Sequence, residues 1–322
     1  GAALLAALYA AASIRYEHFL TLTVFLNLRD GRAMRGIVGV GVSLVIRSGG
    51  IDLSVGAVMC LASIVIAKLI ASAGCPAWLA IAVALGIGTA FGALQGIIIQ
   101  GTGLGAFIVT LAGMFMARGI AFLVSLESIG ISDPGHGRLA GFHARIALGE
   151  SSDLQGALRI GAMILLGTVL LGSYVASFTR FGRSAYALGG SEEAAVLMGL
   201  PVARTRVGVY AVSGFCAALA GTTLTFQLSS GSHLEGVGME LDAIAAVVIG
   251  GALLSGGSGS ILGTLVGTLI IGVVLSVAMN YEGGLSSGMT RVMIGGLLLA
   301  FVLLQRLLSR LPASGTAPGV PL

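Results

Sequence analysis

Four stretches of this chain contain no Asp, Glu, Lys or Arg at all: residues 69–117, 160–179, 207–234 and 243–281. Each reaches the roughly 20 residues that an α-helix needs to cross a bilayer, and two could hold a pair of such helices. Within lipid every backbone polar group has to be satisfied internally, which leaves helices or a closed β-barrel. Ten-residue segments of alternating hydrophobicity are absent, so a barrel is not expected. Of the 322 residues 56% are hydrophobic and only 9% charged, far below the ~25% charged residues of a soluble domain. The 52 glycines are spread through the apolar runs, which suits close helix packing in lipid. The expected fold is an all-α, polytopic transmembrane helical bundle forming a single domain over residues 1–322.

Apolar runs read against charges give ten candidate spans, near residues 1–14, 36–46, 52–73, 78–101, 104–125, 159–178, 207–229, 240–254, 259–280 and 288–306. About eight to ten spans are therefore expected. The runs at 36–46 and 240–254 are too short for the bilayer and lead into Gly-rich breaks, which reads as half-helices or re-entrant segments. Orientation follows from arginine. Arg180, Arg183, Arg204 and Arg206 crowd the loop 179–206, and Arg306 and Arg310 follow the final run, so both regions should face the cytoplasm. Counting back places residues 126–158 outside the cell as the single long polar loop, a candidate contact for an extracytoplasmic partner. The same count puts Arg29, Arg32 and Arg35 outside, against the positive-inside rule.

Residues 49–56 read Gly-Gly-Ile-Asp-Leu-Ser-Val-Gly and residues 250–257 read Gly-Gly-Ala-Leu-Leu-Ser-Gly-Gly, agreeing at five of eight positions at an offset of 201. Each follows a short apolar run and precedes a longer one. Two structural repeats with an interrupted helix in each would give this pattern, and such breaks lie near translocation pathways. Tight turns at helix ends, where glycine is routinely needed, would give it as well.

In the arginine-bounded loop, Glu193-Ala194-Ala195 is followed after three residues by Gly199, then Leu200 and Pro201. Glu192 and Glu193 favour a helix N-terminus, the alanines permit close approach, and Gly199 with Pro201 ends the helix. This matches the Glu-Ala-Ala, three residues, Gly pattern of ATP-binding-cassette importer permeases, in which the loop couples to an ATPase. The order Ser48-Gly49-Gly50-Ile51-Asp52-Leu53-Ser54-Val55-Gly56, then Arg180-Phe181-Gly182-Arg183 with Tyr186-Ala187-Leu188-Gly189-Gly190, then Glu240-Leu241-Asp242-Ala243-Ile244-Ala245 through Ile249-Gly250-Gly251, resembles the branched family of sugar-importer permeases from about residue 36 to 310. Thr110-Leu111-Ala112-Gly113-Met114-Phe115 with Arg118-Gly119, and Ser125-Leu126-Glu127-Ser128-Ile129, further resemble the galactofuranose permease subunit that pairs with a second, different permease. The family often has Asn after the paired glycines; here Ser191 stands there, and serine also caps a helix.

That resemblance implies a multi-pass protein of the bacterial inner membrane. It further implies a cytoplasmic ATPase chain carrying ATP and Mg, a second permease and a periplasmic sugar-binding protein. It assigns ATPase coupling to Arg180, Gly182, Arg183, Gly189, Gly190, Ser191, Glu192, Glu193, Ala194, Ala195 and Gly199. The residues themselves agree that ATP sits elsewhere: there is no phosphate-binding loop, and the sole lysine, Lys68, lies in an apolar run. Cys60, Cys75 and Cys216 lack metal-ligand spacing, and His18, His136, His143 and His233 form no ligand cluster. The net charge of +4 is scattered, so no nucleic-acid surface is expected. No Gly-x-Ser-x-Gly elbow points to hydrolytic chemistry, and nothing near Gly1 resembles a cleavable signal.

Few polar side chains could meet a sugar in the membrane. The candidates are Asp52 and Ser54 at the first break, Arg118, Asp242, and Asn280 with Tyr281. Asp52 could equally cap backbone N–H groups at the break, and Arg118 could pair with a carboxylate inside the bundle. An ion-coupled transporter or channel would also fit broken helices with Asp52, Arg118 and Asp242 in the membrane; the Glu-Ala-Ala loop argues against it.

Overall fold

The computed structural model describes residues 33–131, 160–276 and 287–308, together with Leu5, Ala6 and Tyr9. Among these the chain forms α1 (Ala33–Arg47), α2 (Val55–Ala71), α3 (Ala77–Thr102), α4 (Ala106–Val124), α5 (Ile160–Phe178), α6 (Arg180–Gly190), α7 (Glu192–Leu197), α8 (Val202–Leu228), α9 (Met239–Ile249), α10 (Ile261–Ser276) and α11 (Ser287–Leu308). The bundle is all-α apart from a two-residue antiparallel ladder, β1 (Ile129–Gly130) with β2 (Ser230–Gly231). By length and composition α3, α4, α5 and α8 can each cross a membrane; α2, α10 and residues 292–303 are shorter apolar helices. The candidate run 1–14 lies mostly outside the described residues, as does most of the loop 126–158.

Two helices form the centre. Every residue of α1 except Arg35 is buried, and α8 is 67% buried along its apolar window against 22% for α5. Helices α3, α4 and α5 therefore turn much of their apolar surface outward. Helix α8 packs on α3 through a seam where backbone approaches backbone. Gly88, Gly92 and Gly96, one per helical turn, face Gly214, Tyr210 and Val207, and a Cβ on any of the three glycines would strike the opposing helix, Gly96 within 2.7 Å of the Val207 Cα. Apolar burial drives nothing when lipid is the alternative, so such main-chain approach, with its dispersion contacts, is what holds membrane helices together.

The two Gly-Gly sites both break the chain, and they do so in the same way. At the end of α1, Gly50 N–H donates to the Val45 carbonyl at 3.0 Å and Gly49 N–H to Ile46 at 2.9 Å. At the end of α9, Ala252 N–H donates to Val247 at 3.1 Å and Gly251 N–H to Val248 at 2.9 Å. Each is a left-handed cap, with Gly49 at φ +79° and Gly251 at φ +101°. The capping glycines stand 202 residues apart. The capping geometry is therefore offset by one residue from the alignment of identical residues, 49–56 with 250–257.

After each break the chain reverses. Helix α1 runs against α8, with Gly41 on Ser213 and Cys216, whereas α2 runs with it, placing Gly221 on Met59 and Ala62 and Ser63 on Thr225. The α9–α10 hairpin closes tightly, Gly250 against Gly263 and Gly267 against Ala246. Helix α9 lies beside α1 in the same direction, tied at its start by an Arg35–Asp242 ion pair of 3.1 Å. Arg35 is thus neutralised where positive charge was unexpected. The short runs are two helical hairpins, related as a pseudo-repeat, that turn at the same end of the bundle as the arginine-rich segment.

Candidate coupling site

Helices α6 and α7 occupy residues anticipated only as a loop with one short helix. Helix α6 starts at Thr179, whose hydroxyl accepts from Gly182 N–H at 3.2 Å and donates to the Val175 carbonyl at 2.6 Å. Gly182 is required there because a Cβ would collide with the last turn of α5. Helix α7 begins as its sequence implies: Ser191 accepts from Ala194 N–H at 3.2 Å, with Glu192 and Glu193 in the first turn. It ends at Gly199, φ +71°, where Leu200 N–H donates to Ala195 at 3.1 Å and Gly199 N–H to Val196 at 2.9 Å. Ala195 is buried, while Glu193, Ala194, Val196, Leu197 and Met198 are exposed. An Arg206–Glu192 ion pair of 2.5 Å ties α7 to the foot of α8, and Arg206 also donates to the Gln100 side-chain oxygen at 2.9 Å.

The end of α6 meets both breaks at once. A Cβ on Gly189 would overlap the backbone of Arg47 and lie 2.6 Å from the Gly257 nitrogen. Gly257 N–H itself donates to the Arg47 carbonyl at 2.9 Å. One turn earlier, the Tyr186 hydroxyl donates to the Gly259 carbonyl at 2.6 Å, and its ring lies 5.2 Å under the Arg47 guanidinium. Arg47 is 1% exposed, and its Nε and Nη2 have no hydrogen-bond partner among the described residues. Beside this joint is a polar cleft of about 490 Å³ edged by Gly190, Glu192, Arg206 and Ser255. Movement of α6 therefore bears on the end of α1 and on the loop after α9, at Gly189 directly through main chain.

The first break is fastened from inside. Asp52, 2% exposed, accepts from Ser54 N–H at 2.9 Å, from the Ser54 hydroxyl at 2.7 Å and from the Ser213 hydroxyl of α8 at 2.7 Å. Gln95 of α3 donates to the Ser54 oxygen at 2.9 Å. The Ile51 carbonyl accepts from Tyr210 and from Thr110, each at 3.3 Å. A buried carboxylate with three such donors holds its loop rigidly. Asp52 thus engages the N–H and hydroxyl donors of the break, as a cap would.

The sequence candidates separate into two groups. Arg180, Gly182, Arg183, Gly189, Gly190, Ser191, Glu192, Glu193, Ala194, Ala195 and Gly199 share one end, with Asp52 and Ser54 behind them in the bundle. Arg118 and Asp242 lie at the opposite end. Arg118 donates to the carbonyls of Gly236 at 3.2 Å and Glu235 at 3.5 Å, so its partners there are main-chain oxygens. Asn280 and Tyr281 fall outside the described residues. Sequence reasoning passed over Arg47, Tyr186, Gln95, Tyr210 and Ser213. Two of them carried a signal, Tyr186 standing inside the quoted Tyr-Ala-Leu-Gly-Gly string and Arg47 directly before the first break.

Residues 33–302 match the family described as branched-chain amino acid transport system / permease component. An inner membrane ABC transporter permease protein of Escherichia coli K12, YjfF, is 42% identical over 250 residues, covering 78% of this chain and 74% of its own length. The fructose import permease protein FruG of Bifidobacterium longum is 38% identical over 270 residues, 84% of this chain and 78% of its own. The ribose import permease protein RbsC of E. coli K12 is 36% identical over 265 residues, 80% and 78%. No solved structure matches significantly. A multi-pass helical chain with paired hairpin breaks abutting a Glu-Ala-Ala helix, matched over this length, belongs to the branched-chain amino acid transport system permease family and is a membrane permease subunit, not an enzyme.

Proposed function

We propose that the chain is a pore-forming subunit of an ATP-driven monosaccharide importer, with α6 and α7 at the cytoplasmic face as the docking element for a separate ATPase chain. The observation that carries this reading is the main-chain joint at Gly189, which links the exposed tip of α7 to both hairpin breaks. Relatives named for fructose and ribose import support a sugar cargo. Within that class galactofuranose is the best single candidate, on the resemblance around residues 110–131. A second, different permease completes the pore and a periplasmic binding protein delivers the sugar.

Expression with the neighbouring transport genes and reconstitution in vesicles tests this. Glu193→Lys, or Gly199 replaced by a bulky residue, separates ATP hydrolysis from uptake while leaving membrane insertion intact. Normal coupling in both variants removes α7 from the mechanism. Labelled galactofuranose, ribose and fructose compared in the same vesicles decide the cargo, and uptake by this chain as sole permease excludes the obligate heterodimer.

A further inference from the structure

A second opening at the α6 end, of about 650 Å³, is lined by Arg180, Arg183 and Arg204 around an apolar floor that includes Phe181, Met198 and Leu200. All three arginines are exposed. Arg183 donates to the Phe178 carbonyl at 3.3 Å, and none of the three forms an ion pair with a carboxylate among the described residues. Arg206, which does, points away to Glu192. Three like charges in one groove repel each other, and Arg180 and Arg183 sit near the positive end of the α6 dipole, which aggravates the repulsion. An anion held there relieves both.

The surroundings indicate the source of that anion. Helix α5, the most outward-facing of the long apolar helices, ends at Phe178. Tyr174 and Phe178, 59% and 71% exposed, stack at 5.7 Å on its last turns, as aromatic residues do at the level of lipid headgroups. Helix α6 then turns off, packing Gly182, Ser184, Ala185 and Leu188 against the protein and leaving its arginines outward. The groove thus lies beside the end of the most outward-facing apolar helix, with guanidinium groups and apolar surface together in its lining.

We infer that this groove binds the headgroup of an anionic glycerophospholipid, with the arginines on the phosphate and the apolar floor under the glycerol and first acyl carbons. Guanidinium is suited to this because its fork donates two bonds to one phosphate. The proposal concerns the arginine groove and does not depend on the identity of the cargo.

The test is native mass spectrometry of the purified complex after delipidation and re-addition of phosphatidylglycerol, cardiolipin or phosphatidylethanolamine. Wild type should retain phosphatidylglycerol or cardiolipin at detergent levels that strip phosphatidylethanolamine. The triple variant Arg180→Gln, Arg183→Gln, Arg204→Gln should retain them at least about tenfold less, since each basic residue adds its own share of attraction to anionic lipid. Arg204→Gln alone, away from the start of α6, should give a partial loss and guards against misfolding of the triple variant. Equal retention of anionic and zwitterionic lipids, or retention indifferent to Arg204→Gln, overturns the proposal. So does loss of the lipid whenever the ATPase is bound, which would assign the groove to the protein partner. Glu193→Lys, measured alongside, should disturb ATPase coupling and leave lipid retention unchanged, so failure of the docking role and failure of the lipid site are separable.

Discussion

The two breaks share a capping motif and differ in almost everything after it. From Gly49 to the start of α2 the chain takes six residues, and Asp52, Ser54, Gln95, Ser213, Thr110 and Tyr210 fasten them to three other helices. From Gly251 to the start of α10 it takes ten, four of which, Gly251, Gly256, Gly257 and Gly259, have positive φ. Its ties are mostly backbone: Gly257 N–H on Arg47 and the Gly259 carbonyl on Tyr186. The Ser258 hydroxyl is buried with no partner among the described residues. Topological repetition therefore does not give mechanical equivalence. The first break is a fixed abutment, and the second is a compliant loop laid against it, with α6 wedged where they touch.

That contrast can be broken by substitution. Asp52→Ala should have the largest effect, because it strands the Ser54 and Ser213 donors and frees the first loop; a loss of about 3 kcal/mol is expected. Thermal unfolding in detergent should show it, and Asp52→Asn, which keeps one acceptor oxygen for Ser54 and turns an NH2 toward the Ser213 hydroxyl, should recover part of the loss. Gly189→Ala comes next. Its new methyl meets backbone of both breaks, so overpacking of about 2 kcal/mol is expected, with uptake lost more completely than stability. Tyr186→Phe removes the tyrosine hydrogen bond from the second break and keeps the ring under Arg47; about 1 kcal/mol is expected. Hydrogen exchange should rise in residues 250–260 and stay unchanged in 48–54. Gly190→Ala should do least, within about 0.5 kcal/mol, since a Cβ there meets nothing within 4 Å and φ is not positive. A Gly190→Ala defect equal to that of Gly189→Ala would mean that the paired glycines serve flexibility, and the close-contact account of the joint would fail.

Much of this was legible in the sequence because membrane helices announce themselves by charge-free length, and every candidate run with described residues is helical. Both breaks were visible as Gly-Gly after short runs, and the Ser191 cap and Gly199 stop were read correctly from residue type. Helix α6 was not, since Gly182, Gly189 and Gly190 look like turn residues until their close contacts are known. Glycine chosen for proximity and glycine chosen for conformation are the same letter. Asp52 stood open between cap and sugar ligand, because one-dimensional order cannot tell that Ser213, 161 positions away, donates to it. The partners of Arg118 were not legible for a related reason: carbonyl oxygens are present at every residue and carry no sequence signature.

The glycine seam between α3 and α8 bears on how such a protein can move at all. Layers of side chains slide past each other by exchanging rotamers, but interlocked main chains at Gly88, Gly92, Gly96 and Gly214 have no rotamers to exchange. Any sliding there would have to lift one helix off the other and forfeit the whole contact. Helices α3 and α8 should therefore travel as one rigid body through a transport cycle. The relative displacement that opens one side of the membrane and closes the other must then fall on boundaries built from side chains.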